Sequence, residues 1–514
     1  MNAVNRVAIN TILQYIQLIA NVFLGLFTVR IILNALGTVD YGIYNLIGGV
    51  ITLITFISTS LSQTSVRFLS VSIGKADIGD IRHVFASCFS MHFYMAISLC
   101  LFLEIVGLFL FDGFLNIPAE RLFAARVVFH CMTITLFLQV ARTPFSAMVT
   151  VHEHFHISTT LAILESTLKL IIALIIARSS FDRLILYGVL MGLITVLSTS
   201  CYLLYNHFEY KAFIWLHFKP ISSIKEVFSF AGWTLLDVFG TVANRQGYAV
   251  ILNKFFGPVT NSVFALASQV EGHLYMVSNS VINTMKPQIM KSYGAGDLQR
   301  TFRLSMTAGK FGFSMMSLLS IPILITLPEL LDFWLEEVPE GTVFFARMMV
   351  IACMFEQLTK GLVYANQAIG NIKWFSIVVS GIRVMALPSA ILLFICGFPA
   401  HYGMFAYTLF ETLAAFSRII VMKYSSGLNV KEYLHSVYLQ ILPPFIVSVF
   451  SGIIVYHFLK GFWGVVCVTI TSTLLYCVVF LRSGLSDIEK TTVLGLLNGL
   501  KGKFVKKSSN GIGL

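Results

Sequence analysis

Fourteen apolar stretches of about 19–28 residues limit what this chain can become, because about 20 residues is the length a helix needs to cross the hydrocarbon of a bilayer. They lie near 8–33, 40–66, 84–111, 121–144, 159–177 and 184–206, then near 227–253, 259–285, 304–327, 341–365, 375–396 and 403–422. Two more lie near 437–459 and 462–481. An unpaired backbone amide in hydrocarbon costs several kcal/mol, so spans of this length must be helices. The expected fold class is an all-α polytopic membrane protein with about 14 transmembrane helices. Composition agrees: 57% of residues are hydrophobic and 11% charged, against roughly 25% charged in a soluble protein. The opening "MNAVNRVAINTILQYIQLIANVFLGLFTV" lacks a short apolar core followed by a cleavage site, and reads as a retained first crossing.

The net charge of +11 follows from topology. With the N-terminus inside, about 21 Lys and Arg fall in cytoplasmic segments and about 5 outside, which also places the C-terminus in the cytoplasm. An acidic run from Pro328 to Glu340 falls on the opposite side. Positive charge spread over many short loops does not make a nucleic-acid surface. The eight cysteines lie mostly inside apolar spans and form no C-x-x-C pair, so packing is their expected role.

The chain also repeats itself. Residues 37–80 laid on 257–300 match at ten of 44 positions without a gap: Gly37, Val39, Leu46, Val50, Ser58, Ser60, Thr64, Ser72, Gly74 and Asp77 each recur 220 residues later. "SIGKAD" and "SYGAGD" are the polar end of this match. Six crossings separate the copies, so both run through the membrane in one direction, as in two parallel lobes related by an axis along the membrane normal. The expected organisation is a six-helix lobe over 1–210, a second over 211–435, two extra helices over 436–482 and a basic cytoplasmic tail over 483–514. Within that tail, Ser486–Lys507 mixes apolar and basic positions suited to an anionic leaflet. Gly74 and Gly294 are expected to turn the chain, and Asp77 and Asp297 to cap the next helix. Paired lobes suit a transporter with a site at their interface, near mid-membrane.

"RIILNALGTVDYGIYNLIGGVITLITFIS" (Arg30–Ser58) resembles the start of polysaccharide or O-antigen flippases of the Wzx type, in the multidrug, oligosaccharidyl-lipid and polysaccharide (MOP) exporter superfamily. The resemblance extends over nearly the whole chain, through the "YG" after the first helix, the duplication and the two trailing helices. It implies a MATE-like fold in the bacterial inner membrane. It implies translocation of undecaprenyl-diphosphate-linked oligosaccharide repeat units from inner to outer leaflet by alternating access, for O-antigen, capsule or exopolysaccharide assembly. The implied partners are that lipid-linked substrate, the bilayer, and a polysaccharide polymerase or glycosyltransferases. No nucleic acid, no cofactor and no enzymatic activity are expected.

A charge at mid-membrane costs about 3 kcal/mol on insertion scales, so intramembrane charges should face a cavity or a partner. Arg126, Lys310, Arg347 and Arg418 lie near span ends, where they can snorkel to the headgroups. Glu165 and Lys169 are four apart on one helix face and can neutralise each other; Glu356 and Lys360 repeat the spacing. Arg383 has no acidic neighbour on its own helix. Arg245 sits in the polar run "GTVANRQGY", where Gly240 and Gly247 suggest a water-lining helix that bends. Forked guanidinium and ammonium donors suit a diphosphate. The candidate substrate-binding residues are therefore Arg245, Arg383, Lys360, Lys169 and Arg30, the last equally explained as a helix-end anchor. Asp237, Glu271 and Glu356 are candidates for ion coupling.

Other motifs count for less. "VHEHFH" (Val151–His156) falls in a short loop without a nearby cysteine ligand and reads as solvated chain, not a metal site. No Walker A, G-x-S-x-G or H-E-x-x-H pattern occurs. A cation-coupled multidrug exporter of the same superfamily is the alternative, weakened because residues 8–33 hold no Asp or Glu. A membrane-embedded polymerase or ligase would need a larger outside loop with catalytic residues.

Overall fold

The computed structural model describes residues 3–52, 55–75, 78–111, 117–211, 218, 225–334, 338–486 and 489–491, and among them there is no strand. Sixteen α-helices follow in order: α1 (Ala3–Thr52), α2 (Thr55–Gly74), α3 (Ile78–Phe109), α4 (Leu122–Val151), α5 (Phe155–Arg178), α6 (Arg183–Tyr210), α7 (Lys225–Gly294), α8 (Leu298–Ile325), α9 (Leu327–Trp334), α10 (Thr342–Ile369), α11 (Ile372–Val384), α12 (Ala386–Ile395), α13 (Ala400–Ser426), α14 (Val430–Tyr433), α15 (Gln440–Phe458) and α16 (Gly461–Val479). Among the described residues, ten segments are long and apolar enough to cross a membrane. α1 and α7 each break at a glycine into two rods, and neither these long helices nor α2 is among the ten, so about fourteen crossings is consistent with the structure. The protein is an all-α polytopic membrane protein. Its outward faces carry what only lipid covers well: Leu101, Leu108 and Phe109 on α3, Ile171 and Leu174 on α5, and Ile453 and Leu474 on α15 and α16 are all exposed.

The breaks carry the duplication into three dimensions. Gly37 has φ 75 and ψ 171, and Gly257 has φ 81 and ψ −174. This region of backbone space is essentially closed to residues with a Cβ. A Cβ at either position would meet no atom within 4 Å, so backbone conformation alone requires glycine there. These two are 220 residues apart and belong to the sequence repeat.

The second glycine pair does something else. Gly74 ends α2 and Gly294 ends α7, and neither has positive φ; the turn after α7 is made by Gly296 at φ 82. Gly74 and Gly294 instead let two helix ends touch. A Cβ on Gly74 would strike the Lys291 carbonyl and lie 2.9 Å from Gly294 Cα, and one on Gly294 would strike the Val71 carbonyl. Asp77 and the Ser486–Lys507 segment, apart from Ser486 and residues 489–491, lie outside the described residues.

The chain divides into two compact units. One comprises Met1–Ile9, Gly240–Ile289 and Gln299–Leu514, and the other Asn10–Phe239 with Met290–Leu298. The second has a core built on Ile47, Leu103, Val128, Phe129 and Leu184. The first has a core built on Ile282, Met316, Val350, Leu362, Ala414 and Tyr433.

In the second unit the "VHEHFH" loop is packed, in contrast to the solvated chain expected from its polarity. Glu153 adopts φ 62 with its side chain buried, and Lys291 Nζ reaches its Oε1 at 2.9 Å. Asn10 donates to the Glu153 carbonyl at 3.2 Å. The His152 ring stacks on Tyr210 at 4.3 Å, and His154 Nδ1 lies 2.7 Å and 2.9 Å from the Tyr205 and Tyr210 hydroxyls. Aromatic partners contributed by α6 absorb histidines that look exposed in sequence. No group of residues able to hold a metal ion occurs among the described residues.

Gly37→Ala and Gly257→Ala should each destabilise the protein by about 1–3 kcal/mol, read as a lowered unfolding temperature in detergent, with nearly additive effects in the double variant. Burial lowers the His152 and His154 imidazoles below their ordinary value, so they are held neutral. Such groups stabilise the fold above the unfolded value of about 6.5 and lose that contribution as pH falls. Amide protection factors in residues 150–156 should therefore fall at acid pH, and His152→Phe with His154→Phe should flatten that dependence.

Candidate functional site

Close helix approaches set the site. α10 lies against α8 through reciprocal glycines: a Cβ on Gly309 would strike the Leu358 carbonyl, and one on Gly361 would strike the Ser305 carbonyl. Small residues let helix backbones approach this nearly in a membrane. Tyr433 donates to the Leu358 carbonyl at 2.7 Å, which also holds α10. α7 is drawn onto α11 and α12 in the same way, with a Cβ on Gly240 placed 2.8 Å from Ser380 and one on Gly247 placed 2.9 Å from Leu387. These two glycines serve close approach; the bend expected there occurs at Gly257. The span near 375–396 is interrupted between α11 and α12 at Met385, because Pro388 has no N–H to offer the Val384 carbonyl. Arg383 stands in the last turn before this break.

Within the first unit these helices line a cavity of about 170 Å³. Its lining includes Thr241, Arg245, Glu271, Tyr275, Glu356, Lys360, Arg383, Tyr407 and Glu411. Glu356 is the shared counter-ion. Its Oε1 lies 2.9 Å from Lys360 Nζ, 3.4 Å from Arg418 Nη2 and 3.8 Å from Arg383 Nη2. Arg383 Nε donates to Glu411 Oε2 at 2.9 Å, and its Nη1 donates to Thr241 Oγ1 at 2.6 Å. Asn244 donates to the other Glu411 oxygen at 2.8 Å. Arg245 pairs with Glu271 and also donates to the Ser268 carbonyl at 3.3 Å. Four cations and three carboxylates thus form a nearly neutralised network, less cationic than the sequence inventory suggested.

Three of the expected substrate-binding residues, Arg245, Lys360 and Arg383, meet here together with the acids Glu271 and Glu356. Lys169 on α5 and Asp237 on α7 belong to the second unit and do not line this cavity. Arg30 lies on α1, and its side chain is outside the described residues. Glu165 takes Arg142 from α4 at 3.2 Å, where Lys169 was the expected partner. Arg418 and Lys310 are buried and do not snorkel: Arg418 donates to Thr359 Oγ1 at 3.2 Å, and Lys310 pairs with Glu489 and reaches Gln440 at 2.8 Å. Glu411, Thr241 and Arg418 complete the site, and only their intramembrane polarity signals them in sequence. Nothing in linear spacing brings α13 to α11.

Several solved structures share this fold. A MATE transporter in complex with MaL6 superposes with TM-score 0.70 at 13% identity, over 82% of this chain and 96% of that one. A MOP superfamily transporter from Pyrococcus furiosus, whose reversed binding-pocket polarity suggests a different function, gives 0.69 at 12% over 84% and 97%. An outward-facing multidrug resistance MATE transporter of the MOP superfamily gives 0.69 at 13% over 82% and 96%. No family model and no curated protein matches the sequence. The fold is therefore MATE-like.

Removing one side of a buried ion pair strands the other. Glu411→Ala leaves Arg383 with a weaker, shared carboxylate and should cost about 3–5 kcal/mol, measured as a fall in thermal stability. The apolar pair Arg383→Met with Glu411→Leu should recover most of that loss.

Proposed function

We propose that the protein is a flippase that moves undecaprenyl-diphosphate-linked oligosaccharide repeat units from the inner to the outer leaflet of a bacterial inner membrane by alternating access, with both termini cytoplasmic. The supporting observation is the polar, arginine- and lysine-containing cavity inside an otherwise apolar bundle. Diphosphate oxygens accept hydrogen bonds from guanidinium and ammonium groups, and such charge-assisted bonds are about twice as strong as neutral ones. The cavity holds about 170 Å³, below the roughly 300 Å³ of a drug-sized pocket. That volume suits the phosphates of a head group, while the glycan needs water or a wider path. An oligosaccharide crossing bare hydrocarbon would leave each hydroxyl unpaired at a cost of several kcal/mol, so a hydrated protein path supplies the rate. Glu271 and Glu356, which line the cavity, are the acids to which this reading assigns coupling to an ion gradient.

Multidrug export is the second reading, favoured by the likeness to multidrug transporter structures and by the three carboxylates at the cavity. The two readings differ in the sign of the cargo.

Arg245 is the cleaner probe, since its side chain is 41% exposed while Arg383 is an integral part of the buried network. In liposomes, Arg245→Ala should slow leaflet transfer of lipid-linked oligosaccharide by about 10- to 100-fold, the loss of one charge-assisted hydrogen bond. Wild-type protein that moves cationic drugs and not the lipid-linked sugar would overturn the flippase reading.

A further inference from the structure

The α7 rod that carries Glu271 and Tyr275 to the cavity continues through Asn279 and Asn283 to Lys286. Steps of four, four and three residues keep these side chains on one helix face. α10 answers with Glu356, Lys360 and Tyr364 at the same period. The two faces meet: Tyr364 donates to Asn283 Oδ1 at 3.0 Å, the Lys360 ammonium lies 5.7 Å from the Tyr275 ring, and the Lys286 ammonium lies 5.0 Å from the Tyr364 ring. A polar face therefore runs about 16 Å along α7 from Tyr275 to Lys286, beyond the cavity itself.

Lys286 differs from the other cations of the site. Arg245, Lys360, Arg383 and Arg418 each have a carboxylate. Among the described residues Lys286 has none within ion-pair distance, and the charge it feels is that of another cation, Lys360. A lysine that only anchored α7 would extend toward the headgroups. This one is half-buried and turned onto the Tyr364 ring. Five cations face three carboxylates, which leaves two positive charges uncompensated. A diphosphate diester carries one negative charge on each phosphate.

We propose that Lys286, together with Lys360, determines specificity for a diphosphate-bearing substrate. The head group brings the two negative charges that this face lacks, and Lys286 is the cation free to meet it without breaking an internal ion pair. This rests on the anionic-substrate reading above and names the residue that makes the selection.

The test uses full-length protein in liposomes, with undecaprenyl-diphosphate-linked and undecaprenyl-monophosphate-linked oligosaccharide as the two probes. Lys286→Gln should raise the half-saturating concentration for the diphosphate lipid about tenfold and abolish preference for it over the monophosphate lipid. Lys286→Arg should restore both. Asn283→Asp places a carboxylate three residues from Lys286, neutralises it without removing it, and should reproduce the Gln variant. That variant carries the comparison if Lys286→Gln is recovered poorly. A purely structural role for Lys286 would lower protein yield equally for both probes and leave the preference unchanged. Wild-type transfer with unaltered selectivity in Lys286→Gln and Asn283→Asp would overturn the assignment of Lys286 alone. Absence of transfer by the wild type would overturn the flippase reading, and this inference with it.

Discussion

One carboxylate holds the site together. Glu356 receives Lys360 from its own helix, Arg383 from α11 and Arg418 from α13, all within 3.8 Å. In water such contacts would be worth little, since each ion is well solvated. Away from water each charge carries a desolvation penalty of several kcal/mol, and only close, hydrogen-bonded pairing offsets it. The positions of α10, α11 and α13 are thus tied to one another by charges that have nowhere else to go. On the flippase reading proposed above, an anionic head group entering the cavity would compete with Glu356, Glu271 and Glu411 for the same donors. Under that proposal the competition would link binding to rearrangement, because releasing a cation to a new partner loosens the helix that carried it.

Glycine sets where the helices stand. Gly309 and Gly361 bring α8 and α10 together, while Gly240 and Gly247 bring α7 onto α11 and α12. Without these approaches Thr241 and Asn244 would not reach Arg383 and Glu411. Gly37 and Gly257 have a separate job, since they break two long helices at equivalent places and no neighbouring atom dictates their identity. The same residue type therefore serves conformational freedom at one pair of positions and backbone proximity at the others.

Much of the site was half-legible. Arg245, Lys360 and Arg383 stood out as charges in apolar spans, and the Glu356–Lys360 pair followed from helical spacing. The Glu165–Lys169 pair failed on the same rule, because a tertiary neighbour, Arg142, outcompetes a neighbour one turn away. Arg418 was misplaced for a related reason. Distance from a span end describes reach to the headgroups, and says nothing about whether a buried carboxylate lies nearer. The histidine loop failed because polarity in sequence does not reveal that Tyr205 and Tyr210 cover it.

Solvent, helical class and duplication are legible in the chain alone. Apolar length and the cost of unpaired backbone in lipid leave no alternative to a helical bundle, and the 220-residue match appears again in the broken helices at Gly37 and Gly257. The folded arrangement was needed to say which charges are partners, because ion pairing depends on distances of a few ångströms between helices far apart in the chain. For the same reason it alone distinguished Lys286, a cation that in sequence looks like any other lysine near the end of a helix.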